Sequence, residues 1–558
     1  MLRRSRYTLL AALLIAAVLP YFLNLGVSSI WDANEAFYAQ TPREMIETGD
    51  YVTPSFNFQL RMNKPVLSYW NVAASYRVFG ISEWSERLPI ALGAVVIIGT
   101  AFGLGWLLSG TFGGLLAALV LATSPRLLLL ARRIIIDVHI TMWMGLVLLC
   151  FALAETRPQR RRWYLCLMYV AAGFGVLTKG PVAVFLPAVV FFIYLASQKR
   201  LGDLRHMLLP AGAVISLAIV VPWYYLLYRE HGWEYIGSFI FGENLGRYAE
   251  AVGEQSRGLL FYIPVMLADL FPWSLMIPIA LWWAIRYQRH DRVARLLVVW
   301  VAVIVAFFSL SGTKEDLYIL PIVTAEAALI GAMLAAAAQG VAAPRPFDSA
   351  QGGPFDAAQG RPFVDWSVAA TAVLLLVAGS GALWFFAIAR RYSLDGVALV
   401  GAVAAVGGAV AVGWLFRRNL LGSVATMATS LVVIAWCVVL CTLPDFERYK
   451  PVRPFSDIIR SRASIGAIVG SYKFSLPSMV FYLHRPVMEV VRPDHLRAVF
   501  YSSSDVYFIM AEDEYNSVKD RLPVDTYILA RQQMFDLKPR NFLEGSELPQ
   551  FVLVSNRD

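Results

Sequence analysis

A helix needs about 20 mostly apolar residues to cross the hydrocarbon core of a bilayer, and in this chain such runs recur from Tyr7 to about Leu443. A water-soluble domain has no use for that many. The sequence predicts about thirteen transmembrane helices, at 7–27, 88–108, 112–130, 135–154, 163–178, 181–197, 207–228, 259–284, 294–311, 318–338, 365–389, 396–416 and 420–443. The Gly- and Pro-interrupted stretch 163–197 reads as one span or as two. Composition agrees: hydrophobic residues make up 58% of the 558 and charged residues 16%, against roughly half and a quarter in soluble domains.

The net charge of +9 raises nucleic acid as a partner, but the arginines lie in short clusters between apolar runs. Loop charges of that kind orient a membrane protein. Cys150, Cys166, Cys437 and Cys441 all fall within apolar runs, with neither a disulfide framework nor metal-type spacing. Arg3, Arg4 and Arg6 ahead of an apolar stretch have the look of a signal peptide, yet 7–27 is long enough to span and shows no small-residue cleavage site. It reads as an uncleaved first helix.

With the N-terminus in the cytoplasm and alternating spans, the loops left inside hold Arg157, Arg160, Arg161 and Arg162, then Lys199, Arg200 and Arg205. They also hold Arg286, Arg289, Arg292 and Arg295, and finally Arg417 and Arg418. That is the positive-inside bias of short loops. The outer side then receives 28–87, 131–134, 229–258, 312–317 and the segment after 444. Residues 1–443 form the membrane domain and 444–558 a small outer α/β domain. Alternation at 465–472, 506–510 and 550–554 predicts strands there, and 513–521 a helix. Within 341–363 the chain nearly repeats itself, at Pro346–Gly352 and Pro354–Gly360. This Gly/Pro/Gln-rich stretch cannot bury a core and is expected to be a disordered cytoplasmic insertion.

The first outer loop, 28–87, is far longer than a connection needs. It mixes helical amphipathic periodicity with aromatics, as interfacial helices do. Asp32 and Glu35 directly follow the first span. A carboxylate held near low dielectric is a candidate general base; equally, such acids cap the start of a helix.

The loop reads Trp31, Asp32, Asn34, Glu35, Tyr38, then Arg43-Glu44-Met45, Gly49-Asp50, Phe56-Asn57, Lys64-Pro65 and Tyr69-Trp70. It resembles the first periplasmic loop of the protein mannosyltransferase-like GT-C membrane glycosyltransferases, above all the bacterial lipid A aminoarabinose transferase branch. The resemblance continues through Arg132-Arg133 to Asp137, Leu177 to Pro181, Pro222-Trp223, Glu243 to Tyr248, Pro272 to Ser274 and Tyr318 to Pro321, covering roughly 25–325. It implies an enzyme of the bacterial inner membrane that takes a sugar from a polyprenyl-phosphate carrier, such as undecaprenyl phosphate, and passes it with inversion to lipid A, another glycan or a protein. Lys64, Lys179, Arg247, Tyr318 and Tyr38 match positions that contact the carrier phosphate; for the basic residues an interfacial anchor is the plainer alternative. Asp137, beside Arg132 and Arg133, is a catalytic candidate by its boundary position, or their ion-pair partner.

Two departures matter. Where that branch has an Asp-Glu pair this chain has Asn34-Glu35, so the base falls to Glu35 or to Asp32. The branch's metal-associated Glu and His are replaced by Asn63 and Gly242, which leaves a divalent metal open but without its family ligands and implies no certain cofactor. His139, His206, His231, His290, His484 and His495 are dispersed, without ligand spacing. A transporter or flippase of lipid-linked sugars is the alternative, but no two halves of the chain resemble each other as transporter repeats do. A scaffold with a partner-binding tail leaves the long first loop unexplained.

Overall fold

The computed structural model describes residues 2–61, 63–239, 242, 246, 257–339, 361–388, 394–535 and 548–558. Each of the thirteen predicted segments overlaps a helix or, at 259–284, a bent helix pair, although 22–27 of the first lie in turns and 112–130 is divided between two helices. Among the described residues eight helices are long and apolar enough to cross a membrane, and the pair Leu259–Asp269 and Trp273–Tyr287, bent by 116°, makes a further broken span. This is a multi-pass membrane protein.

Two details refine the predicted segments. The helical run Glu83–Ala122 contains 88–108 and the first part of 112–130, whose end lies in helix Pro125–Ala131, and the two limbs part where Ser109 and Gly110 leave helical geometry, Gly110 at φ 68°. Small residues let the limbs close: a Cβ on Gly105 would lie 2.8 Å from that of Ala117, and one on Gly114 would lie 2.8 Å from the Phe102 carbonyl. Close backbone approach through small residues is how membrane helices gain packing contact. The stretch 163–197 is likewise two helices, Arg161–Lys179 and Val182–Ser197, parted at Gly180 with φ 104°.

The apolar window of Asp316–Ala338 is wholly buried. A helix apolar all round belongs inside a bundle, and its Gly331 leaves room for helix Glu83–Ala122: a Cβ there would stand 2.4 Å from the Ala117 nitrogen. In the first loop, helices Asn34–Thr48 and Leu67–Phe79 flank a short hairpin of Ser55–Phe56 and Gln59–Leu60. The near-repeat lies outside the described residues up to 360, and its last three residues already belong to helix Arg361–Leu383.

After Pro444 the chain forms helix Val452–Arg462 and a five-stranded sheet. Its spatial order is Met488–Val490, Ile468–Tyr472, Val506–Ala511, Gln550–Ser555 and Tyr527–Gln533. The first three strands are parallel and the last two antiparallel to their neighbours. Parallel neighbours require crossovers, supplied by the helices Ser478–Leu483 and Pro493–Phe500. Tyr472, Phe500, Phe508 and Val552 fill one of its faces.

This tail docks on the first loop. Glu447 accepts from the Ser28 hydroxyl at 2.7 Å and the Ser29 N–H at 2.9 Å. The Ile30 N–H donates to the Tyr482 hydroxyl at 2.7 Å, and Asn57 bonds both the N–H and the carbonyl of Val487 at 2.9 Å.

Candidate active site

Helix Asn34–Thr48 is fixed at its start by the carboxylate of Glu35, which is 2% exposed. It accepts from the Trp31 N–H at 2.7 Å, from Arg87 Nε at 2.8 Å and from the Ile134 N–H at 3.3 Å. Arg87, equally buried, spends its other nitrogens on the carbonyls of Leu25, Ser28 and Ser29. Arg132 does the same for the carbonyls of Pro20, Leu23 and Asn24. A buried charge is tolerated when it is paired or hydrogen-bonded: Arg87 is paired with Glu35, and Arg132 is held by carbonyls alone, so the two tie the segment after the first helix to helix Glu83–Ala122 and to the segment before Asp137.

Asp32 turns the opposite way, toward the tail. Its two oxygens accept from the N–H and the hydroxyl of Ser478, both at 2.6 Å. Burial pushes its carboxyl up to about 6. Between these acids the Trp31 ring is sandwiched by Arg133, 3.9 Å from the ring centre, and Lys450, 3.8 Å from it. Burial lowers the Lys450 ammonium to about 8.

Beside the helix start lies a cavity of about 730 Å³. Of the residues expected from sequence it collects Asn34, Tyr38, Lys64, Asp137, Lys179 and Tyr318. Asp32 and Glu35 do not line it, and Arg247 lies outside the described residues. Helix ends set the central charges. Asp137 stands in the first turn of helix Ile136–Thr156 and Lys179 is the last residue of its own helix, each where the helix dipole favours its sign. They form an ion pair, and the Lys179 ammonium also stands 5.0 Å over the Tyr318 ring. Tyr38 stacks on Tyr69 with ring centres 5.4 Å apart. The rest of the wall is apolar, with Ile140, Met144, Phe185 and Phe307 among its members.

Sequence reasoning missed two acids of this wall, Glu315 and Asp316. Asp316 accepts from Arg126 Nη2 at 2.7 Å, while the Arg257 guanidinium stands 3.9 Å from Glu315. The available signal was position: both directly precede Tyr318 through Pro321, a segment already singled out. Among the described residues no three His, Cys, Asp or Glu side chains gather as metal ligands would.

This arrangement can be set beside known proteins. Residues 63–226 match the family model described as dolichyl-phosphate-mannose-protein mannosyltransferase. The chain superposes on ArnT from Cupriavidus metallidurans bound to undecaprenyl phosphate with TM-score 0.79, covering 98% of this chain and 97% of that one at 23% identity. The fold is that of the GT-C membrane glycosyltransferases. The archaeal oligosaccharyltransferase AglB from Archaeoglobus fulgidus is more distant, at TM-score 0.50 and 12% identity, covering 90% of this chain and 69% of that one. An undecaprenyl phosphate-alpha-4-amino-4-deoxy-L-arabinose arabinosyl transferase of Pseudomonas fluorescens is 32% identical over 327 residues, 57% of this chain and 56% of that protein. A protein of Aquifex aeolicus is 31% identical over 311 residues, 55% of this chain and 60% of its own length. The alignments thus span little more than half the length of these curated relatives.

Proposed function

We propose that this chain is an inverting glycosyltransferase that moves a sugar from a polyprenyl-phosphate carrier to an acceptor hydroxyl on lipid A, a glycan or a protein. The reaction runs at the outer face of a bacterial inner membrane, with the N-terminus cytoplasmic and the C-terminus periplasmic. One observation carries the reading: a single cavity brings two lysines, Lys64 and Lys179, together with Tyr38 and Tyr318 against an apolar wall. That combination suits an anion at the head of a hydrocarbon chain. A second apolar cavity of about 670 Å³, lined by Val220, Tyr224 and Trp233, shares Pro181 with it, so hydrocarbon has a continuation.

In the proposed reaction the carrier phosphate leaves from the sugar's anomeric carbon. Its growing negative charge is met by Lys64, Lys179 and the two tyrosine hydroxyls, groups fixed in advance where charge develops. Charge-assisted hydrogen bonds are each worth about 1.5–3 kcal/mol. The acceptor hydroxyl enters from the opposite face and gives up its proton to a carboxylate. Among the described residues the cavity offers Asp137, Glu315 and Asp316 for this. Glu35 and Asp32 instead hold the helix that carries Asn34 and Tyr38, and act as positioning residues. The test is mass spectrometry of envelope lipids, glycans and proteins with and without the gene. A sugar-bearing product that disappears on deletion, together with binding of undecaprenyl phosphate by the purified protein, supports the reading. The absence of both results would refute it.

A further inference from the structure

The position at the start of the first-loop helix that faces the cavity is an amide, Asn34. An amide has no basicity at neutral pH, so it orients an acceptor hydroxyl but cannot take its proton. The two first-loop carboxylates nearest in sequence point elsewhere, Glu35 into the Arg87 ion pair and Asp32 onto Ser478. The proton therefore has to go to an acid contributed by another part of the fold.

Three such acids line the cavity among the described residues, and their surroundings differ. Asp137 already accepts a hydrogen bond from the Lys179 ammonium. Asp316 accepts one from Arg126 at 2.7 Å. Each of these two carboxylates has one oxygen already committed to a cation, which leaves fewer positions for an acceptor hydroxyl. The Glu315 side chain is 45% accessible, and Arg257 stands 3.9 Å from it, beyond hydrogen-bonding distance. The Arg257 guanidinium donates instead to the Lys314 carbonyl at 2.8 Å. The Glu315 backbone is held as well: its carbonyl accepts from the Tyr262 hydroxyl at 3.2 Å and from the Tyr318 N–H at 3.1 Å. A fixed backbone that places an accessible carboxylate on the cavity wall, with no cation within hydrogen-bonding distance among the described residues, suits a general base.

The geometry points to Glu315 as the catalytic base, an assignment that rests on the glycosyltransferase reading above. The acceptor O–H bond breaks as the oxygen attacks the anomeric carbon. Its proton moves to a Glu315 carboxylate oxygen, and the C–O bond to the carrier phosphate breaks with its electron pair going to the phosphate. Lys64 and Lys179 balance that phosphate charge. Protonated Glu315 then returns its proton to water through its exposed side. The chain would thus carry its base on the 312–317 loop rather than on the first loop.

The test uses the full-length protein expressed in cells lacking the gene, with the lost envelope product quantified by mass spectrometry. Removing a general base costs about 10²–10⁴-fold in rate, so Glu315→Gln is expected to form product at most about 1% as fast as the unaltered protein. The purified variant is expected to bind undecaprenyl phosphate within twofold. In membrane vesicles the unaltered protein should lose rate on acidification. The residual rate of Glu315→Gln should lack that acid limb, a change that a merely structural role would not produce. Glu315→Gln turning over at the normal rate overturns the assignment while leaving the functional reading intact. So does a variant that fails because undecaprenyl phosphate no longer binds. If deletion removes no product and the unaltered protein does not bind undecaprenyl phosphate, both fall together.

Discussion

Glu35 and Arg87 form an ion pair at 2.8 Å in which neither side chain is more than 2% exposed. They stand 52 positions apart in sequence. Because Glu35 also holds the Trp31 and Ile134 amides, this pair ties the start of the first-loop helix to the helix that carries Asp137. Breaking one partner of a buried pair costs about 3–5 kcal/mol, since the other charge is left uncompensated.

Arg87→Met and Glu35→Gln should therefore each lower the melting temperature in detergent and reduce transfer. The pH dependence of whatever transfer remains should keep its shape. A Glu35→Gln variant with normal stability and a lost acid limb would make Glu35 the base instead.

Removing a phosphate contact should act differently. Lys64→Ala and Lys179→Ala are each expected to weaken undecaprenyl phosphate binding or slow transfer by about 10–150-fold, the equivalent of about 1.5–3 kcal/mol. Calorimetry or a lipid-binding assay reads the first effect, and product formation the second. Lys179→Ala carries an added cost because it leaves Asp137 without its ammonium partner.

The Asp32 contact with the tail should respond to pH. Its carboxyl lies at about 6 in the folded protein against 3.8 ordinarily, raised by burial. The folded state thus holds more protons than the unfolded one between those values, and stability from this group falls as pH rises from about 4 to about 6. Asp32→Asn, which mimics the neutral carboxyl, should flatten that part of the curve in melting experiments between pH 4 and 7. An unchanged slope would remove Asp32 as its source.

Packing around Gly331 leads to a prediction about the membrane part alone. A Cβ there would stand 2.4 Å from the Ala117 nitrogen and 2.7 Å from its Cα. Gly331→Val must push apart two helices that have no flexible side chain to yield, at a cost of at least about 1–3 kcal/mol. Thermal melting should fall accordingly, while the same substitution at Gly413, where nothing lies within 4 Å, should leave it nearly unchanged.

The membrane architecture was legible because a span declares itself locally: apolar over its whole length and bounded by charge or glycine. Even the turn at Gly110 lies in the short gap left between two predicted segments. The tail strands divide in an instructive way. Ile468–Tyr472, Val506–Ala511 and Gln550–Ser555 are inner strands with mostly buried faces, and their apolar pattern gives them away. Met488–Val490 and Tyr527–Gln533 were not read from sequence; they are the two edges of the sheet, half exposed and without clean alternation. At the site, Lys64, Asp137, Lys179 and Tyr318, each singled out from sequence, line one cavity. The partners of Asp32 and Glu35 were beyond reach, because no local pattern encodes a contact with Ser478 or Arg87.

The bond from Asp32 to Ser478 spans 446 positions of the chain. A ribosome must add 446 residues beyond Asp32 before this loop can meet the segment that pins it. Until then, the segment from Ser28 to Asp32 lacks its partners Glu447, Tyr482 and Ser478. Synthesis past residue 478 thereby becomes the step that anchors the first loop, and a product cut short near residue 444 would insert into the membrane with that loop unanchored.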